Sequence, residues 1–112
     1  MRAYALQQLP EARTMNMSAF FIATATIKNP EKVQEYARKA AETFAAHGGE
    51  FLVRGKFAAA FVGSADHQVV AVVRFPSMEA LNAWYKSPEY QAIVPLRIEA
   101  ADMKIITYSV MA

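Results

Sequence analysis

Gln68-Val-Val-Ala-Val-Val-Arg-Phe75 is the segment that most restricts how this chain can fold. Its β-branched residues suit a pleated strand, and Val69 through Val73 put apolar side chains on both faces. An antiparallel strand with one wet face would alternate instead. Both faces of its sheet must therefore be covered. Helices can cover one; the other calls for a second sheet, most simply a copy of this chain about a two-fold axis. Composition agrees: 54% of the 112 residues are hydrophobic, above the usual content, and one domain of this size has limited interior. About 800 Å² buried per subunit, at about 25 cal/mol per Å² of apolar area, would dominate association.

The remaining elements follow from local signals. Ala19–Ile27, rich in β-branched and aromatic residues, predicts the first strand. Asn29-Pro30-Glu31 supplies an N-cap, a proline at the first helical position and an acid in the first turn. Val33, Tyr36, Ala37, Ala40, Ala41, Phe44 and Ala45 then make one apolar helical face, with Glu35 and Lys39 a turn apart on the wet side. Gly48 and Gly49 end that helix through a left-handed cap. Glu50–Arg54 predicts a short strand, extended or re-entered over Phe57–Val62 after a bend at Gly55, and residues 63–67 a turn. Beyond the 68–75 strand, Ser77 caps a second helix with Leu81, Trp84 and Tyr85 inward. Ser87-Pro88-Glu89 starts another short helix, Pro95 forces a kink or restart, and Lys104–Val110 predicts the last strand. The order gives an α+β, ferredoxin-like βαββαβ antiparallel sheet with helices on one face, its sheets pairing as a homodimer through the open face.

Several classes of function are excluded. A net charge of +2, with basic and acidic residues interleaved, offers no nucleic-acid surface. No cysteine is present, which removes disulfides, thiolate metal sites and thiol nucleophiles and fits a reducing cytoplasm. No apolar run approaches the roughly 20 residues that span a bilayer, so no membrane partner is expected. Residues 1–17 read as an extension, flexible unless a partner subunit holds it, before a domain at 18–112. A secretory signal is not expected there, and Met15 and Met17 stand as alternative starts.

Phe20-Phe-Ile-Ala23, Asn29-Pro-Glu-Lys32, Gly48-Gly-Glu-Phe-Leu-Val-Arg-Gly55, Phe75-Pro-Ser-Met-Glu-Ala80, Trp84-Tyr85, Ser87-Pro-Glu-Tyr-Gln91 and Pro95-Leu-Arg97 resemble the DUF1330 family. The resemblance covers about residues 18 to 110. It implies the dimeric α+β barrel superfamily, in agreement with the two-sided strand, and implies no reaction. That superfamily includes cofactor-independent monooxygenases, haem-degrading enzymes, muconolactone isomerase-like proteins and non-catalytic stress proteins, so fold alone does not choose among them. The extension before residue 18 and the bulky Lys56-Phe57-Ala-Ala-Ala60 segment depart from the family pattern.

Six residues are candidates for ligand binding. Arg54 ends a strand beside Gly55 and would clamp a carboxylate or enolate; otherwise it pairs with Glu50, Glu99 or another acid. Arg97 follows an apolar run and either shares that anion or bridges to Glu99, Asp102 or a partner chain. Ser87 opens a helix whose free N–H groups suit an anion, or simply caps it. Tyr90 would add a phenolic donor, or packs with a wet hydroxyl. His47 is a general base or haem ligand, or else a last-turn residue that favours the helix dipole. Trp84 belongs to the core, or to a pocket wall. His47 and His67 make a poor metal motif, and no bound cofactor is expected. Two hypotheses result. One is a cofactor-free enzyme acting on an aromatic or enolisable acid in a cleft, with Arg54 and Arg97 stabilising negative charge and Tyr90 orienting the substrate. The other is a non-catalytic ligand-binding or stress-response dimer using the same cleft. Haem binding through His47 is a distant third.

Overall fold

The signals above become a single antiparallel sheet with its helices on one face. The computed structural model describes residues 18–111, so the expected extension at 1–17 lies outside the described residues. Its elements are β1 (Ala19–Ile27), α1 (Pro30–Ala46), β2 (Glu50–Lys56), β3 (Val69–Phe75), α2 (Met78–Lys86), α3 (Pro88–Gln91), α4 (Val94–Ala100) and β4 (Ala101–Ser109). The strands lie in the order β2-β3-β1-β4, every neighbouring pair antiparallel. This is the expected ferredoxin-like arrangement.

Local chemistry sets the boundaries. The Asn29 side chain accepts from the Lys32 N–H at 3.1 Å, and Pro30 opens α1 where no intrahelical donor is needed. Glu35 and Lys39 pair at 3.1 Å along its wet side. Gly48 has φ +79°, the left-handed cap that favours glycine. Pro95 falls in the first turn of α4, so the chain restarts a helix at Val94.

The core lies between the helices and the inner face of the sheet. Phe21, Phe44, Phe75, Leu81, Trp84 and Tyr90 are all buried there. Trp84 stacks on Phe21 at 5.1 Å, and its Nε1–H donates to Thr43 Oγ1 at 2.8 Å, which leaves the indole satisfied. Gly49 lies against this cluster: a Cβ there would stand 2.8 Å from Phe75 Cε2 and 3.0 Å from the Phe44 carbonyl oxygen. Neither can yield, since Phe75 is buried and the carbonyl is backbone. Gly49→Ala should therefore destabilise the fold by about 2 kcal/mol, measured by urea unfolding.

Some details differ from expectation. Tyr85 is 37% exposed rather than inward, and Ala45 is also exposed. β2 ends at Lys56, and the re-entrant strand expected over Phe57–Val62 does not form. The strand closes where Phe57 N–H donates to the Gln68 carbonyl at 2.7 Å. Beyond it the chain has no sheet neighbour, and Phe61 is fully exposed (103%). β4 begins at Ala101 rather than Lys104, because its first residues pair with Thr26 and Ile27 at the end of β1.

The outer face carries an apolar central row, bordered on one side by Thr24 and Lys104. Register places Val53, Val72, Ile22 and Ile106 in one row across the four strands. In the adjacent row Phe20 stacks on Tyr108 at 5.2 Å, and Arg74 pairs with Glu50 at 2.8 Å. Val53 is 56% exposed and Ile106 50%. This aliphatic row is what the two-sided strand at 69–73 becomes.

Candidate functional site

A cavity of about 370 Å³ separates α1 from the inner face of the sheet. That volume lies within the range of small-molecule pockets. Its floor is small: Ala23 of β1 and Ala71 of β3 pair side by side, with Ala25 next to them. Small residues there leave the gap between helix and sheet unfilled. Among the lining residues only Tyr36 and Arg54 carry polar side-chain atoms.

Arg54 reaches this cavity because β2 is bulged. Phe51 pairs with Val73 and Arg54 with Ala71, with the register shift between Phe51 and Val53. Val73 and Ala71 are two residues apart and share the inner face, so Phe51 and Arg54 also share it although three residues apart. Without the bulge Arg54 would face the outer side; the extra residue re-aims it. Its guanidinium lies over the Phe51 ring, 5.5 Å from the centroid. The acids expected to pair with it are engaged elsewhere, Glu50 with Arg74 at 2.8 Å and Glu99 with Lys32 at 2.6 Å. Arg54 has no carboxylate partner among the described residues. Arg38 of α1 joins it along a more open groove beside the cavity, also without such a partner.

Arg97 is placed differently. It lines an adjoining cleft with Trp84 and Tyr85, which shares Met103 and Ile105 with the cavity that Arg54 lines. The two arginines thus line different pockets. Nor does Arg97 bridge to Glu99 or Asp102, whose partners are Lys32 and Lys28. It donates to Tyr90 Oη at 2.9 Å and more weakly to Tyr85 Oη at 3.4 Å. Burial works against its charge, but these hydrogen bonds outweigh it and hold its pKa above the ordinary arginine value.

Tyr90 is fully buried, packed on Trp84 at 4.4 Å, and does not line the cavity beneath α1. Its hydroxyl meets that of Tyr36 at 2.7 Å, and it is Tyr36 that lines the cavity. Burial, and then the neighbouring Tyr90 hydroxyl, raise the Tyr36 pKa well above the usual phenol range, so Tyr36 keeps its proton. In the sequence Tyr36 reads only as one position of an apolar helix face, without a signal of its polar contact. Tyr90→Phe should cost about 1.5 kcal/mol, because Arg97 would lose its closest acceptor inside the fold; thermal unfolding measures this.

The other candidates have structural duties. Ser87 Oγ donates to the Trp84 carbonyl at 2.7 Å and accepts from Tyr90 N–H at 3.2 Å, tying the end of α2 to the start of α3. No room for an anion remains beside it, since Ser87 is buried and α3 is a single turn. Trp84 is core. His47 is the C-cap residue of α1, its backbone N–H directed to the Ala45 and Phe44 carbonyls. No group of three or more His, Cys, Asp or Glu side chains suited to a metal occurs among the described residues. No helix there is long and apolar enough to cross a membrane.

The sequence pattern that defines DUF1330, a domain of unknown function, matches residues 18–111. The chain belongs to the DUF1330 family. No curated protein matches it. Among solved structures, this DUF1330 chain is similar to a protein of unknown function from Rhodopseudomonas palustris, 18% identical, with 91% of this chain and 88% of that one covered and a TM-score of 0.74. SnoaB, a cofactor-independent oxygenase from Streptomyces nogalater, is 12% identical, with 86% and 95% covered and a TM-score of 0.65. A dimeric ferredoxin-like protein of unknown function from Thermobifida fusca is 14% identical, with 84% and 92% covered and a TM-score of 0.57. At these identities the likeness is one of fold.

Proposed function

We propose that this DUF1330 protein is a homodimer that takes an aromatic or enolisable organic acid into the cavity between α1 and the sheet. The observation that carries this is Arg54, a cation without a carboxylate partner among the described residues, at an otherwise apolar cavity. A ligand complementary to that site has a flat apolar body over Ala23, Ala25 and Ala71 and a carboxylate on Arg54. Dimerisation through the outer face is supported by the aliphatic row across the four strands and by the description of the Thermobifida fusca relative as dimeric.

Two versions of this function share the site. In the catalytic one, Arg54 stabilises the negative charge of an acidic ligand, which then transfers a proton or reacts with oxygen without a resident cofactor. Similarity to the cofactor-independent oxygenase SnoaB favours it. In the other the protein binds without turnover. The lining favours this version, because it contains no histidine, aspartate or glutamate to serve as general base. A thermal-shift screen of aromatic acids tests the shared claim: bound acids raise the melting temperature as they saturate the site. Absence of any shift up to millimolar acid would remove it. Turnover of the acids that bind, followed by oxygen uptake and mass spectrometry, separates the two versions.

A further inference from the structure

The contact between Tyr36 and Tyr90 has a definite polarity that follows from counting protons. Arg97 can only donate, so its 2.9 Å bond makes the Tyr90 oxygen an acceptor. The 2.7 Å bond between the two phenols consumes one of their two protons. If Tyr36 were the donor, the Tyr90 oxygen would receive two donors and its own proton would point nowhere. Tyr90 is fully buried, and its hydroxyl has no acceptor besides Tyr36 among the described residues. A buried unpaired donor is costly. With Tyr90 as donor, the unused proton belongs instead to Tyr36, which lines the cavity.

We infer that Arg97, Tyr90 and Tyr36 form a directional relay that presents the Tyr36 hydroxyl proton to a hydroxyl, keto or enolate oxygen of a ligand in the cavity. This rests on the proposed organic-acid site and narrows its ligand to a two-headed one. A carboxylate lies on Arg54 of the edge strand β2, and a second oxygen meets Tyr36 of α1, with the apolar floor between them. Arg97 and Tyr90 are positioning residues; Tyr36 touches the ligand. The relay also explains why an arginine is held beneath α2 and α3 without a carboxylate. Its charge orients two phenols and is neutralised by no acid among the described residues.

The test compares ring-substituted 2-naphthoates by calorimetry: the parent acid, its hydroxy isomers and the matching amino isomers. At least one hydroxy isomer should bind about 10-fold tighter than the parent, since its oxygen accepts the waiting proton. The amino isomer of the same shape, a poor acceptor, should gain nothing. Tyr36→Phe should abolish the hydroxy advantage, so that within this variant the hydroxy isomer binds no tighter than the parent acid. Tyr90→Phe should shrink the hydroxy-to-amino ratio several-fold, because the Tyr36 oxygen becomes free to accept; a merely structural loss would weaken both alike. Arg54→Gln should weaken all isomers together and preserve the ratio. Equal binding of parent and every hydroxy isomer by the wild type would overturn the relay while leaving the acid site standing. So would a hydroxy advantage that survives Tyr36→Phe. If no naphthoate binds, the acid site itself falls and the relay with it. The wild-type comparison needs no variant to fold.

Discussion

In light scattering at micromolar concentration the native chain is expected to run as a dimer and Ile106→Glu as a folded monomer. Ile106 is half exposed in the single subunit, so a carboxylate there remains hydrated and the core is untouched. In the dimer it would be forced against the aliphatic row formed by Ile22, Val72 and Val53. A charge buried there without a partner costs about 3 kcal/mol or more, and the two-fold axis introduces it twice. Association should weaken by at least about 100-fold. Circular dichroism and the unfolding midpoint of the monomer should show retained structure. An unaltered dimeric mass for Ile106→Glu, or a monomeric mass for the native chain, would contradict pairing through this face.

Arg54→Gln is expected to weaken acid binding sharply without weakening the fold. Arg54 makes no ion pair among the described residues and stands on an exposed edge strand, so little stability depends on its charge. A carboxylate on a guanidinium gains about 1.5–3 kcal/mol from its charge-assisted bonds, so the variant should bind an aromatic acid about 10- to 100-fold more weakly. A neutral carboxamide of the same shape should bind both proteins equally. Arg38→Gln offers a control: it borders only the open groove and should matter less than Arg54.

Most of the fold is legible in the sequence because its signals are local. Asn29-Pro30 and Gly48 mark the ends of α1 through capping chemistry that needs no tertiary partner. The Val69–Val73 run announces a strand apolar on both faces, and the row at Val53, Val72, Ile22 and Ile106 is the apolar part of the outer one. Other features are decided by pairing across strands. The bulge after Phe51 leaves no mark in Glu50–Lys56, yet it places Arg54 on the cavity side. Arg97 reads in sequence as a lone charge seeking an acid. The partners it finds are the hydroxyls of Tyr85 and Tyr90, brought to it by the α2–α3–α4 turns. Tyr36 was hidden by its own apolar periodicity, which reports the ring and says nothing of the hydroxyl. Site residues are thus the hardest to find, because side chains far apart in sequence define them.

Calorimetric titration of 2-naphthoate against 2-naphthamide, on the native protein and on Arg54→Gln, probes the cavity most directly. The acid should bind the native protein at least about 10-fold tighter than the amide, with a negative heat-capacity change from burial of its rings. In Arg54→Gln the two should bind alike. Equal binding of acid and amide by the native protein, or an acid preference that survives in Arg54→Gln, would contradict an organic-acid site at Arg54.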